Sequence, residues 1–93
     1  MTLPSFETYG NYSSGNYGAH ALVFSLPNGI DVYFSYKTPV AFRNNGHVIV
    51  RQNDWGPTTG KHLNAIDGGD KDAKNRRLPG DQFETALQSV FNI

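Results

Sequence analysis

Ala21-Leu22-Val23-Phe24-Ser25-Leu26-Pro27-Asn28-Gly29-Ile30-Asp31-Val32-Tyr33-Phe34-Ser35-Tyr36 is the stretch whose reading settles the fold class. Leu22, Phe24 and Leu26 alternate with Ala21, Val23 and Ser25, which is the period of a strand. Pro27-Asn28-Gly29 then supplies a reversal, because Asn-Gly takes positive φ at little cost. The run that follows places Ile30, Val32, Phe34 and Tyr36 on one side, so the whole reads as a β-hairpin. Moving outward, Lys37-Thr38-Pro39 marks a bend, since proline cannot donate to a ladder. Val40-Ala41-Phe42-Arg43 reads as a third strand, Asn44-Asn45-Gly46 as a tight turn and His47-Val48-Ile49-Val50-Arg51 as a fourth. Loops this short make neighbouring strands antiparallel, and the expectation is a four-stranded antiparallel meander over residues 21–51.

Composition restricts what such a sheet can belong to. A chain of 93 residues holds one α+β domain with a single core. Eight Lys and Arg balance eight Asp and Glu, so the molecule has no overall field drawing it to nucleic acid or anionic membranes. The absence of Cys removes thiol catalysis, disulfides and zinc-thiolate sites. No apolar run reaches the roughly 20 residues of a membrane span, and no basic-then-apolar leader opens the chain. The expectation is a cytoplasmic protein with no membrane partner.

Two flanking regions complete the outline. Residues 1–20 contain Tyr9-Gly10-Asn11-Tyr12-Ser13-Ser14-Gly15-Asn16-Tyr17-Gly18, read as an irregular Tyr- and Gly-rich N-terminal arm. Its rings either cover the sheet or, as Tyr12 and Tyr17 would allow, form a recognition surface of the kind binding loops use. Residues 57–93 form a helical half with two short helices packed on the sheet. In the second, Asp81 is the expected N-cap with Glu84 three residues on, and Phe83, Ala86, Leu87, Val90 and Phe91 fall on one face. Between the helices, residues 67–77 mix charge signs and carry a Gly pair, and read as a solvated connection.

The candidate site is the segment Asp54-Trp55-Gly56-Pro57-Thr58-Thr59-Gly60-Lys61-His62-Leu63-Asn64-Ala65-Ile66-Asp67, where strands give way to a helix. Gly56 to Lys61 approaches a phosphate-binding P-loop, but only three residues separate the glycines and His62 follows the Lys, so the motif fails. A weaker local idea stands: Thr58 or Thr59 caps the helix, and the free N–H groups beside Lys61 face an anion. At 100° per residue, Thr59, Leu63 and Ile66 share the inner face, Lys61 and Asn64 lie opposite, and His62 sits at the boundary. Trp55 reads as a buried anchor between sheet and helix, with an aromatic platform for a ligand as the alternative.

Other chemistries leave weaker traces. His20, His47 and His62 have no metal-ligand spacing, and the loop from Asp67 lacks the acidic positions of a calcium site, so neither a metal nor a cofactor is expected. No nucleophile elbow occurs, and a paired-carboxylate mechanism would fall to Asp54 and Asp67. Lys37, Arg43, His47, Arg51, Lys61 and His62 make the middle of the chain locally basic beside aromatic rings, which is the nucleic-acid reading.

The Tyr9–Gly18 segment, Phe34-Ser35-Tyr36-Lys37-Thr38-Pro39-Val40-Ala41-Phe42, and Asn53 through Asp67 together resemble a family of small uncharacterised proteins encoded by phages, prophages and plasmids. That resemblance implies a mobile-element setting inside a host cell and transfers no activity, cofactor or catalytic residue. The expected function is a non-enzymatic binding protein of host-takeover or counter-defence type. It would use Asp54, Trp55, Thr58, Thr59, Lys61, His62 and Asn64, with Tyr12 and Tyr17 of the arm, to hold a host protein or a small phosphorylated ligand. The alternatives are a nucleic-acid-binding protein and a small enzyme with His62 as acid or base. Self-association through an uncovered sheet edge is a further expectation.

Overall fold

The alternation in the opening hairpin does produce paired strands, and the turns that close them are those the residue types demand. In the computed structural model, which describes residues 4–10 and 20–91, β1 (Ser5–Thr8), β2 (Ala21–Ser25), β3 (Ile30–Ser35), β4 (Thr38–Asn44) and β5 (His47–Val50) lie in sequence order in one antiparallel sheet. At the β2–β3 turn, Gly29 adopts φ 84° and the Leu26 N–H reaches the Ile30 carbonyl at 2.8 Å. At the β4–β5 turn, Asn45 and Gly46 both have positive φ, 52° and 84°, the two-residue geometry whose twist matches antiparallel strands.

The sheet has five strands rather than the expected four. The extra one is β1, taken from what reads as irregular arm. Its register sets Phe6 opposite Phe24 and Thr8 opposite Leu22, and the Phe6 and Phe24 rings meet edge to face at 5.7 Å. All four β1 residues are exposed.

Pro39 does not bend the chain between strands as expected; it lies within β4. The register shifts there, with Tyr33 opposite Ala41 and Phe34 opposite Pro39, so Val40 is the extra residue of a bulge. Simple alternation would put neighbours on opposite faces. The bulge lets Val40 and Ala41 enter one buried cluster with Val50 and Leu63, against which Tyr33 and Ile66 pack. The bend itself falls at Tyr36, which leaves the expected strand for left-handed backbone at φ 57° and gives its N–H to the His20 carbonyl at 2.8 Å.

Three helices, not two, follow the sheet among the described residues: α1 (Pro57–Asp67), α2 (Lys71–Arg76) and α3 (Gly80–Val90). α1 starts with Pro at its first position, where a missing N–H costs nothing, and ends at Gly68 in left-handed backbone with its N–H on the Asn64 carbonyl. Gly56 is its N-cap, without a side-chain cap, so neither Thr58 nor Thr59 takes that role. α2 occupies the expected solvated connection, capped by the Asp70 carboxylate accepting from Ala73 N–H at 2.8 Å. α3 begins at Gly80 after Pro79, and Asp81 and Glu84 lie inside it rather than forming a capping box. Its Phe83 is buried and meets Phe42 of β4 at 5.8 Å between ring centroids.

Leu78, between α2 and α3, adds a parallel bridge beside the end of β5. Its N–H binds the Val50 carbonyl and its carbonyl accepts from Gln52, both at 2.8 Å. That bridge brings Gly80 under Arg51. A Cβ at Gly80 would run into the Arg51 guanidinium, with Cζ 2.7 Å away, so glycine there makes room for the arginine.

Candidate functional site

Because α1 starts at Pro57, Thr59 is its third residue and Thr59, His62, Leu63 and Ile66 form an i, i+3, i+4, i+7 stripe. The stripe faces β4, β5 and the end of β3. His62 is thus 0 % exposed, not at the boundary of the buried face, and its Nδ1 lies 2.7 Å from Ser35 Oγ. Ser35 Oγ in turn lies 3.0 Å from Thr59 Oγ1. Ser35 and Thr59 are themselves buried, at 3 % and 7 % exposure. Three polar groups that would each be costly to bury alone therefore satisfy one another. Aromatic edges close around the imidazole, with Tyr36 at 5.9 Å and Tyr9 at 6.1 Å between ring centroids. Tyr9 is held by its own hydroxyl, which donates to the Phe34 carbonyl at 2.9 Å.

In front of this chain lies a pocket of about 210 Å³ lined by Ser35, Tyr36, Thr38, Val40, Trp55 and Thr59. Its lining has three hydroxyl side chains, one aliphatic wall and two aromatic rings, with no carboxylate, ammonium, guanidinium or imidazole among them. Trp55 and Tyr36 are each 44 % exposed. Trp55 is consequently not the buried anchor; it stands at the surface with the Arg51 guanidinium 4.9 Å from its ring centroid. Arg51 also lies 3.4 Å from both Asp54 and Glu84. The Trp55 backbone N–H donates to Asn53 Oδ1 at 2.9 Å, within the turn that leads into α1.

Residues read from sequence as one surface are divided by the fold. Trp55 and Thr59 line the pocket, and Thr58 is half-buried beside them in the first turn of α1. Lys61 is exposed on the far side of α1 from Leu63. Asp54 is exposed and its carboxylate faces Arg51. His62 is sealed behind Ser35, so it presents no surface to a partner. Asn64 is exposed, and its Oδ1 accepts from Arg77 Nη2 at 3.1 Å. Tyr12 and Tyr17 lie outside the described residues.

The sequence reading missed Ser35, Tyr36 and Thr38. The available signal was parity: if Ile30, Val32 and Phe34 share one face, Ser35 belongs to the other, beneath the inner face of α1. It also missed Arg77, which holds Asp67 through two hydrogen bonds. Arg77 Nε and Nη2 each reach an Asp67 carboxylate oxygen at 2.8 Å, with both side chains largely buried. Burial alone would raise the Asp67 carboxyl, but the Arg77 hydrogen bonds, the Gly69 N–H and the Arg77 charge outweigh it and hold the group below its usual value. This pair joins the end of α1 to the end of α2 and is structural.

Among the described residues no group of three or more His, Asp or Glu is placed to hold a metal ion, and no helix is long and apolar enough to cross a membrane. Residues 5–85 match a family of unknown function, DUF8033. The chain belongs to that family. The match to DUF8033 runs from β1 into α3 and includes every residue of the pocket. No curated protein and no solved structure matches this DUF8033 chain.

Proposed function

We propose that this protein is a non-enzymatic binding protein whose recognition site is the pocket between Trp55 and Tyr36. The observation that carries the reading is the exposure of those two rings around a hydroxyl-lined floor. Large aromatic side chains left in water at 44 % exposure, beside a concavity that already satisfies its own buried polar groups, are the elements from which small recognition sites are built. The resemblance to mobile-element proteins favours a target in the host cell, in keeping with a host-takeover or counter-defence role.

Oxidative footprinting with mass spectrometry tests the site. Addition of host-cell extract protects Trp55 and Tyr36 from oxidation and leaves Phe6, 61 % exposed on β1, unchanged. Equal reactivity of all three with and without extract would remove the proposal.

A second reading has one observation in its favour, the 2.7 Å contact between Ser35 Oγ and His62 Nδ1 beside a pocket. With Nδ1 as acceptor, the imidazole would take the Ser35 proton as the oxygen attacked an acyl carbon, in the manner of a serine nucleophile and its base. A fluorophosphonate probe that labels Ser35 in the native protein, and not in H62Q, would establish the enzymatic reading in place of the binding one.

A further inference from the structure

Beside β5 the sheet has a further strand position that Leu78 enters and the chain at once leaves. The Arg51 N–H donates to the Val40 carbonyl at 2.9 Å. With Ala41 opposite Val50 and Arg43 opposite Val48, that bond sets the parity of the ladder: the backbone groups of His47 and Ile49 turn towards β4, and those of Val48 and Val50 turn outward. Leu78 takes one outward group, donating to the Val50 carbonyl, and its bridge at Arg51 runs parallel to β5. Two residues before Leu78 the chain is Arg76, the end of α2, so the parallel strand does not extend back along β5. Among the described residues, the Val48 N–H, the Val48 carbonyl and the Val50 N–H therefore have no backbone partner.

A groove of about 510 Å³ runs along this edge, within the roughly 300–1,000 Å³ of binding sites. Val48, Ile49 and Val50 form one side, and its charged residues are Asp67, Arg76 and Arg77. Asp67 and Arg77 neutralise each other at 2.8 Å. Arg76 is exposed and makes no hydrogen bond or ion pair among the described residues, so the groove has one uncompensated charge, a cation. It shares no lining residue with the pocket at Trp55.

We propose that this groove takes the free C-terminal end of a partner protein, as an extended segment added parallel to β5 in line with Leu78. The segment's residue opposite Ile49 gives its N–H to the Val48 carbonyl and accepts from the Val50 N–H, and the residue two before it accepts from the Val48 N–H. The position two beyond is held by Leu78, so the segment ends one residue past the level of Ile49, with its terminal carboxylate at the Arg76 side of the groove. An antiparallel segment fits less well. It would bring an N–H against the Val50 carbonyl that Leu78 occupies, and turn the start of its chain, not the carboxylate, towards Arg76. Main-chain bonds supply the affinity and the carboxylate sets the direction.

The test screens the full chain against a random octapeptide library with free C-termini, then remakes the tightest binder as its C-terminal amide and with a methyl on the penultimate backbone nitrogen. The expected result is saturable NMR shifts centred on Val48 and Val50, with hydrogen exchange of both amides slowed about tenfold or more at saturation. Amidation weakens binding about twofold to fivefold in the wild type and has no effect in Arg76→Gln. The N-methyl peptide, which cannot donate to the Val48 carbonyl, does not bind, and Trp55→Ala binds the free acid as the wild type does. The proposal is overturned if no octapeptide binds saturably, if bound peptide leaves the Val48 and Val50 amides unprotected, or if acid and amide bind the wild type equally. Protection of Val48 that rises with protein concentration in the absence of peptide would overturn it in favour of a second copy at this edge. Shifts confined to Trp55 and its neighbours would overturn it too, while leaving the pocket as the binding site.

Discussion

The imidazole of His62, in the middle of α1, is hydrogen-bonded at Nδ1 to the hydroxyl of Ser35, the last residue of β3, at 2.7 Å. This contact joins helix to sheet through a polar bond set beside the apolar contact of Leu63 with Val40, Ala41 and Val50. Removing one partner strands the other in a dry site. Ser35→Ala is therefore expected to cost about 1–3 kcal/mol, and His62→Ala, which also leaves a cavity, about 2–5 kcal/mol. Denaturant unfolding measures both. A loss below half a kcal/mol for each would show that the contact contributes nothing to holding α1 in place.

The Asp67–Arg77 pair makes a separate prediction. Arg77→Ala leaves a buried carboxylate without its guanidinium, a change expected to cost about 3–5 kcal/mol. Because Asp67 is depressed in the folded state relative to the unfolded chain, its contribution is present above the unfolded value and is lost as pH falls through the folded one. Stability should thus decline below about pH 4, and Asp67→Asn should flatten that part of the profile. An identical acid limb in Asp67→Asn would contradict the assignment.

Gly80 and Arg51 supply a third. A methyl at Gly80 displaces the end of a flexible side chain rather than backbone, so Gly80→Ala should change stability by no more than about 1 kcal/mol. The displaced guanidinium should leave the Trp55 ring, shifting the indole resonance. An unshifted indole signal would show that the stack survives without the glycine.

How much of this was legible follows from what each residue reports. The hairpin from Ala21 to Ser35 could be read because alternation and Asn-Gly chemistry are both local. β1 could not. Its four residues are all exposed, so burial imposed no pattern on them, and they join the sheet through backbone pairing with β2. α2 was hidden because six mostly charged residues carry no apolar stripe, and its cap, Asp70, looked like one more charge in a solvated run. His62 was misplaced by residue type: its position in the stripe with Thr59, Leu63 and Ile66 called for burial, but burial needed Ser35, twenty-seven residues earlier, as partner. Trp55 failed the opposite way, since a lone tryptophan is expected inside and this one is held at the surface by Arg51 and Asn53.

The pocket was legible in part. Trp55 and Thr59 belong to the segment picked out from sequence, whereas Ser35, Tyr36 and Thr38 reach it through the β3–β4 turn and the bulge at Val40, neither of which a local pattern specifies.

Affinity capture from host-cell extract with the wild-type chain, Trp55→Ala and, as a control on α2, Lys74→Ala tests the central claim most directly. Trp55 is half out of the protein, so its removal should leave the melting temperature nearly unchanged while abolishing capture, and Lys74→Ala should capture as the wild type does. Equal capture by a fully folded Trp55→Ala protein would contradict the account.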